Sequence, residues 1–309
     1  MIGDTPSTTT AREDARMRPF DDIDRLAKNP ALDKVAAPLR DAVHKVLRRQ
    51  DVKDALHGVW MGHPLHPMLA QLSLGSFVSA GVLDVAPRTR RPATVLIALG
   101  LVSAVPTAAA GWADYADGHE EQQRVGVVHA AANGVMLAGY AASLAARLRG
   151  RGVRGALLGW AALTVGTAGA ALGGHMAYHQ AMGANHAEGY PHIGPGDWTD
   201  VGTVDELPEG EPTRRIVGDV GVLVVRRGER IHALADRCAH ASAPLHEGRI
   251  TNGEGPACIV CPWHGSVFRL DTGSVVHGPA TAPQPTFRTR VRDGRLELAV
   301  TGYAGVPAS

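Results

Sequence analysis

The chain has 309 residues, a formal net charge of +1 and only 20% charged residues. This near-balance supplies no basic surface for nucleic acid, and the length leaves room for two domains. Three cysteines are too few for a disulfide framework.

Residues 1–20 hold Ser, Thr and mixed charges with no apolar run, so no cleavable signal peptide is expected. From Asp22 to Arg49, Leu26, Val35, Leu39, Val43 and Leu47 recur among charged residues at helical spacing. Segment 1–60 is therefore predicted to be amphipathic and partly ordered, either a tail or a surface on the bilayer. Pro30 and Pro38 should keep its helices short.

The next stretch is defined by the distance between charges. No Asp, Glu, Lys or Arg occurs from Ala55 to Leu83, Pro92 to Ala113, Val125 to Ala146, or Gly155 to Ala187. Each window reaches the roughly 20 residues needed to cross a hydrocarbon core. A soluble helix would carry a charged stripe every turn or two. The prediction is a four-helix transmembrane bundle over 61–180, with spans near 65–86, 92–113, 125–148 and 154–178. Gly155, Gly159, Gly169 and Gly173 give the last helix small-residue faces for close contact. A gapless internal repeat at an offset of 63 pairs His66 with His129 and Phe77 with Tyr140, as in a duplicated helical hairpin.

Alternating helix direction collects His63, His66, Asp114, His119, His129, His175 and His179 on one membrane face, and a set of arginines with Asp84 on the other. Ionisable groups at membrane depth are costly and often functional. His63, His66, His129, His175 and His179 are thus a candidate haem, metal or quinone rim. The alternative is a set of interfacial histidines, hydrated or bonded to neighbouring helix ends.

A Gly-, Pro- and His-rich linker is expected over 181–197, followed by an all-β domain over 198–303. Alternation over 213–217, 220–226 and 230–235 predicts antiparallel strands, and Asp271-Thr272-Gly273 and Asp293-Gly294 predict turns. Within this domain Cys238-Ala239-His240 precedes Cys261-Pro262-Trp263-His264 by twenty intervening residues. Two Cys and two His at such spacings can close a four-ligand metal shell, and spacing alone leaves a structural zinc site open. Cys258 is expected to be a buried strand cysteine.

His264-Gly265-Ser266-Val267-Phe268, then Asp271-Thr272-Gly273 and Gly278-Pro279-Ala280, resemble the second cluster loop, hairpin and proline loop of Rieske domains. The resemblance implies a [2Fe–2S] cluster with Cys238 and Cys261 on one iron and His240 and His264 on the other. It also implies tuning positions. Ala243 and Trp263 stand at or near the places where respiratory members carry a disulfide. Ser266 is kept, but Phe268 replaces a tyrosine whose hydroxyl would raise the potential. Asp54-Ala55-Leu56-His57-Gly58, Gly62-His63-Pro64-Leu65-His66-Pro67 and the stretch 173–179 resemble an uncharacterised bacterial four-helix membrane family, sometimes fused to Rieske domains. His175 and His179 stand where its members often carry an acidic residue and Arg.

The expected protein is multidomain: an α-helical four-helix transmembrane bundle plus an all-β Rieske domain, multi-pass in a bacterial inner membrane. The side of its cluster domain is left open: the short arginine-rich loops argue for the outside, while Lys45, Arg48, Arg49 and Lys53 and the need to export a folded domain lean towards the cytoplasm. No mononuclear-iron oxygenase domain follows Val300, which favours electron transfer with a redox partner protein or quinone. The alternatives are a quinol-linked membrane oxidoreductase and a redox sensor, with haem as a secondary cofactor expectation.

Overall fold

The structure, a computed structural model, describes residues 21–251 and 255–301. The Ser/Thr-rich stretch 1–20 and residues 302–303 of the expected β-domain lie outside the described residues. Three helices precede the bundle: α1 (Asp21–Ala27), α2 (Asp33–Val46) and α3 (Gln50–His57). Pro38 was expected to end a helix, yet α2 runs through it. Tertiary contacts override the proline: the Tyr115 hydroxyl donates to the Ala36 carbonyl at 2.9 Å, and Arg124 grips Asp33 at 2.7 and 2.8 Å.

The bundle comprises α4 (Leu65–Leu83), α5 (Arg90–Ala116), α6 (Glu120–Leu148) and α7 (Gly152–Tyr178), packed as two hairpins, α4 with α5 and α6 with α7. Among the described residues, three helices are long and apolar enough to cross a membrane: α5, α6 and α7. The fourth expected span, α4, is shorter, at 19 residues against 27, 29 and 27, and carries Gln71, Ser73 and Ser76. The two serines are satisfied internally, Ser73 by the Ser103 hydroxyl at 2.9 Å and Ser76 by the Leu72 carbonyl at 2.7 Å. Large apolar side chains, including Val95, Val102, Val105, Val135 and Leu157, face outward.

The repeat-related residues meet across the two hairpins. Phe77 stacks on Tyr140 at 3.9 Å between ring centroids, and His66 and His129 lie edge to face at 6.4 Å. At the arginine-rich end, Arg147 of α6 clasps Asp84 through both carboxylate oxygens, with both side chains almost fully buried.

The C-terminal part is all-β. Strands β2 (Thr213–Val217), β3 (Val220–Arg227) and β4 (Arg230–Ala235) form one antiparallel sheet. A second sheet has the order β1 (Thr199–Thr203), β10 (Arg295–Val300), β9 (Phe287–Arg292). A third orders β5 (Arg249–Thr251), β6 (Cys258–Val260), β7 (Val267–Arg269) and β8 (Val275–His277). Both predicted turns are present: Asp293 and Gly294 take positive φ of 50° and 76° between β9 and β10. Gly273, at φ 69°, lies so close to Gln284 that a Cβ would fall 1.9 Å from its carbonyl oxygen. Cys258 is a buried strand residue, as expected, with its thiol directed at the Pro256 carbonyl at 3.3 Å.

The expected linker is partly incorporated into this domain. Ala187 and Tyr190 are buried in the β core, and the Tyr190 hydroxyl accepts the Arg237 N–H at 3.3 Å. Its polar composition concealed these two anchors.

Candidate metal centre

Two loops of the β-domain carry the donors, and they are built alike. In the loop after β4, the Cys238 N–H donates to the Ala243 carbonyl at 2.9 Å and the Ser242 N–H to Cys238 at 2.9 Å. Between β6 and β7, the Cys261 N–H donates to Ser266 at 2.8 Å and the Gly265 N–H to Cys261 at 3.2 Å. Each turn uses a positive φ, 62° at Ser242 and 74° at Gly265. The chain thus reverses sharply after each cysteine and brings the following histidine back beside it.

The two thiols are buried neighbours. The Cys238 sulfhydryl stabilises a Cys261 thiolate by hydrogen bonding, which brings Cys261 down to about 7 against the cost of burial. Cys238 is driven up in return, by that same hydrogen bond and then by burial. The His240 and His264 rings stand edge to face at 5.0 Å. The Nδ1 atoms of both are buried and make no hydrogen bond. Burial, then the nearby His264, holds His240 down to about 3, so its ring is neutral and free to ligate. Two thiols and two orphaned neutral imidazole nitrogens suit metal chemistry, because an unpaired buried nitrogen is otherwise costly.

A third loop closes over this pair. The Ala280 N–H donates to the fully buried Ser266 hydroxyl at 3.0 Å. Gln284 accepts the Ala239 N–H at 3.0 Å and donates to the Ala235 carbonyl at 2.8 Å, which fixes the first loop. Phe268 is fully buried opposite Ile259, whereas Trp263 is half exposed.

The helical part presses on the same end. Asp54 of α3 accepts from the His277 ring at 2.7 Å and from the Gly278 N–H at 2.9 Å. His57, one turn further on, is buried between Asp114 at 2.8 Å and Asp117 at 3.2 Å. Burial alone would depress His57, but the two carboxylates outweigh it and raise its pKa to about 9. Gly58 must follow it: at φ 87° a Cβ would sit 2.1 Å from the His63 carbonyl oxygen. The His119 ring lies 5.7 Å from His264 and 5.6 Å from Trp263. A cavity of about 290 Å³ separates bundle from β-domain, with His57, His63, Asp114, His240 and Pro279 among its walls. The His240/His264 edge therefore faces the bundle.

The histidine rim does not converge on one site. His63 lines the cavity just described. His66 Nδ1–H donates to the Thr107 carbonyl at 2.9 Å. His129 Nδ1–H donates to Gly169 at 2.8 Å, and its Nε2 accepts from Asn133 at 3.0 Å, so neither ring nitrogen is free for a metal. His175 and His179 stack at 4.5 Å beside Asp24, on α1. Sequence reasoning did not single out Asp54, Asp117 or His277. Their roles depend on contacts between distant segments, 60 residues apart for His57 and Asp117 and 223 for Asp54 and His277. The signal within reach was Asp54 and His57 one helical turn apart in a single motif.

Residues 197–288 match the Rieske [2Fe–2S] domain family, and residues 62–187 match a family described as predicted membrane protein DUF2231. The chain is 34% identical over 104 residues to the anthranilate 1,2-dioxygenase ferredoxin subunit of Burkholderia cepacia, covering 34% of this chain and 93% of that protein. It is 34% identical to the 3-phenylpropionate/cinnamic acid dioxygenase ferredoxin subunit of Photorhabdus laumondii, covering 33% and 92%. Among solved structures, the ferredoxin of carbazole 1,9a-dioxygenase from Nocardioides aromaticivorans IC177 is similar at 30% identity and TM-score 0.32, over 34% of this chain and 98% of that one. Through its C-terminal third, this chain belongs to the Rieske [2Fe–2S] family.

Proposed function

We propose that the protein is a membrane-anchored one-electron carrier in which Cys238 and Cys261 hold one iron of a [2Fe–2S] cluster and His240 and His264 the other. The observation that carries this is the convergence of two paired thiols and two unpartnered buried imidazole nitrogens. The cluster, when bound, supplies one-electron oxidation and reduction, and neutral imidazole ligation favours a potential in a window of roughly −150 to +300 mV. The chain's own residues hold the ligands and tune them. Ser266 accepts from Ala280, so its own proton is left over and would be available to a bound cluster. Phe268 has no hydroxyl to offer, and no disulfide braces the loops. Both features favour the lower half of the window.

In this reading α4 joins α5, α6 and α7 as a fourth span, and the protein is multi-pass in a bacterial inner membrane. Arg88, Arg90, Arg91, Arg147, Arg149, Arg151 and Arg154 at the far end favour that end as cytoplasmic, whereas Lys45, Arg48, Arg49 and Lys53 ahead of α4 favour the cluster end. A folded domain on the outside would need an export route, which tips the balance to a cytoplasmic cluster domain. The dioxygenase ferredoxin subunits among its relatives point to a redox partner protein. A cleft lined by Arg40, Lys53, Asp117 and Glu120 beside His264 and Trp263 gives such a partner an approach of mixed charge.

The second reading is a quinol-linked oxidoreductase, favoured by one observation: the cavity between bundle and cluster domain is walled by His240. A reduction experiment on the detergent-solubilised holoprotein separates the two. The carrier reading expects fast cluster reduction by a soluble NAD(P)H-driven ferredoxin reductase and none by a short-chain quinol. Reduction by the quinol alone would overturn it in favour of the second.

A further inference from the structure

We propose that Asp24, His175 and His179 form a zinc site that clips α1 to the end of α7. It is separate from the cluster and independent of the electron-transfer reading. Their donor atoms lie within 4.8 Å of one another. Asp24 Oδ1 is 3.3 Å from His175 Nε2 and 3.2 Å from His179 Nε2. Tetrahedral zinc with bonds of about 2.0–2.1 Å sets its ligands roughly 3.3 Å apart, whereas right-angled octahedral ligands at that bond length would sit about 2.9 Å apart. The two distances from Asp24 match the tetrahedral value, and the two histidine nitrogens lie within 4.8 Å of each other.

A plain ion pair accounts less well for the same atoms. The His175 side chain is 4% exposed, and its Nε2 is buried without a hydrogen bond although a carboxylate oxygen stands beside it. A buried nitrogen in this state lacks a partner, and a cation between the three donors supplies one. The two histidines are one helical turn apart, so α7 presents both rings on one face, where they stack at 4.5 Å. Two imidazoles and one carboxylate are a borderline donor set that suits zinc over magnesium or calcium. His179 is 63% and Asp24 39% exposed at the side chain, which leaves the fourth position open to water.

The site has a structural setting. α1 is otherwise held by a small cluster of Ala27, Val125, Leu172 and Met176, and by Arg124, which donates to the Ala27 carbonyl at 3.0 Å. A metal bridging Asp24 to α7 would add a fixed point one turn before that cluster.

The test is isothermal titration of Zn²⁺ into full-length, cluster-replete protein in detergent, with His179→Ala and Asp24→Asn alongside. His179 is exposed, so its replacement leaves the fold in place, as far-UV circular dichroism and cluster absorbance will verify. The expected result is one zinc per chain, weakened at least about tenfold in each variant, since even outer partners of a metal ligand are worth 10–100-fold. Zinc should also slow proteolysis within α1 and α2 of the wild-type protein, and not of His179→Ala. Absence of stoichiometric binding, or either variant within tenfold of wild type, would overturn the site.

Discussion

Replacing Cys261 by Ala is expected to remove the iron–sulfur cluster altogether, and replacing His264 by Ala to do the same, while the helices remain folded. Each iron of such a cluster draws two ligands from the protein and two from bridging sulfide. Loss of one side chain would leave an iron one protein ligand short; His119, 5.7 Å from His264 between ring centroids, is on another element and is not among the loop donors. Phe268, Ile259 and Ala280 around the loops are buried and apolar, and Ser266 is already engaged by the Ala280 N–H. Iron and acid-labile sulfide assays on purified variants, with far-UV circular dichroism for helix content, check this. Each variant should fall from two irons per chain to a trace. Wild-type iron content in either would remove that residue from the ligand set. Cys258→Ala is the matched control: its thiol lies on β6 and bonds to Pro256, so iron should stay at the wild-type level.

The second large effect concerns His57. This ring is 2% exposed and holds two carboxylates apart, Asp114 and Asp117, at the point where helices meet the cluster domain. His57→Ala takes the ring from between the buried Asp117 and the partly exposed Asp114, and leaves Asp117 only the more distant Lys53 and His44 for compensation. Breaking a buried charged group by removing one partner costs about 3–5 kcal/mol. The protonated ring also makes stability depend on pH. Its pKa is raised from 6.5 to about 9, so the folded state binds the proton more tightly than the unfolded chain. The stabilisation is fully present below about pH 6.5 and is lost as pH rises through about 9. At about 1.4 kcal/mol per pH unit, the rise corresponds to roughly 3 kcal/mol. Thermal unfolding of the solubilised holoprotein at pH 6.5, 8 and 10 should show a falling midpoint. His57→Ala should unfold at lower temperature and lack this dependence. An unchanged midpoint in the variant would mean that the two aspartates do not depend on His57.

Much of the fold was legible because its signals are local. Charge-free windows gave the helices to within a few residues, and strand alternation gave β2, β3 and β4. Cys238, His240, Cys261 and His264 were legible because their spacing encodes two similar turns. What escaped depends on meetings between distant segments. The Asp54 carboxylate bonds Gly278 across more than two hundred residues, and no periodicity announces that. Asp24 reaches His175 and His179 only because α1 folds back on α6 and α7. Pro38 misled in the opposite direction: a helix breaker by rule, it sits inside α2 because Tyr115 and Arg124 hold that helix from outside. The histidines listed as one rim have separate partners in the structure. Helix direction assigned the residues to one end, but side-chain partners divided them into a carbonyl-bonded central pair, a cavity residue and a pair beside Asp24.

EPR of the dithionite-reduced protein distinguishes mixed sulfur and nitrogen ligation of the cluster from every other donor set. The expected spectrum is a rhombic signal with a g-average below that of all-cysteine [2Fe–2S] clusters, carrying ¹⁴N couplings from two imidazoles. An EPR-silent sample containing zinc in place of iron would contradict that ligation.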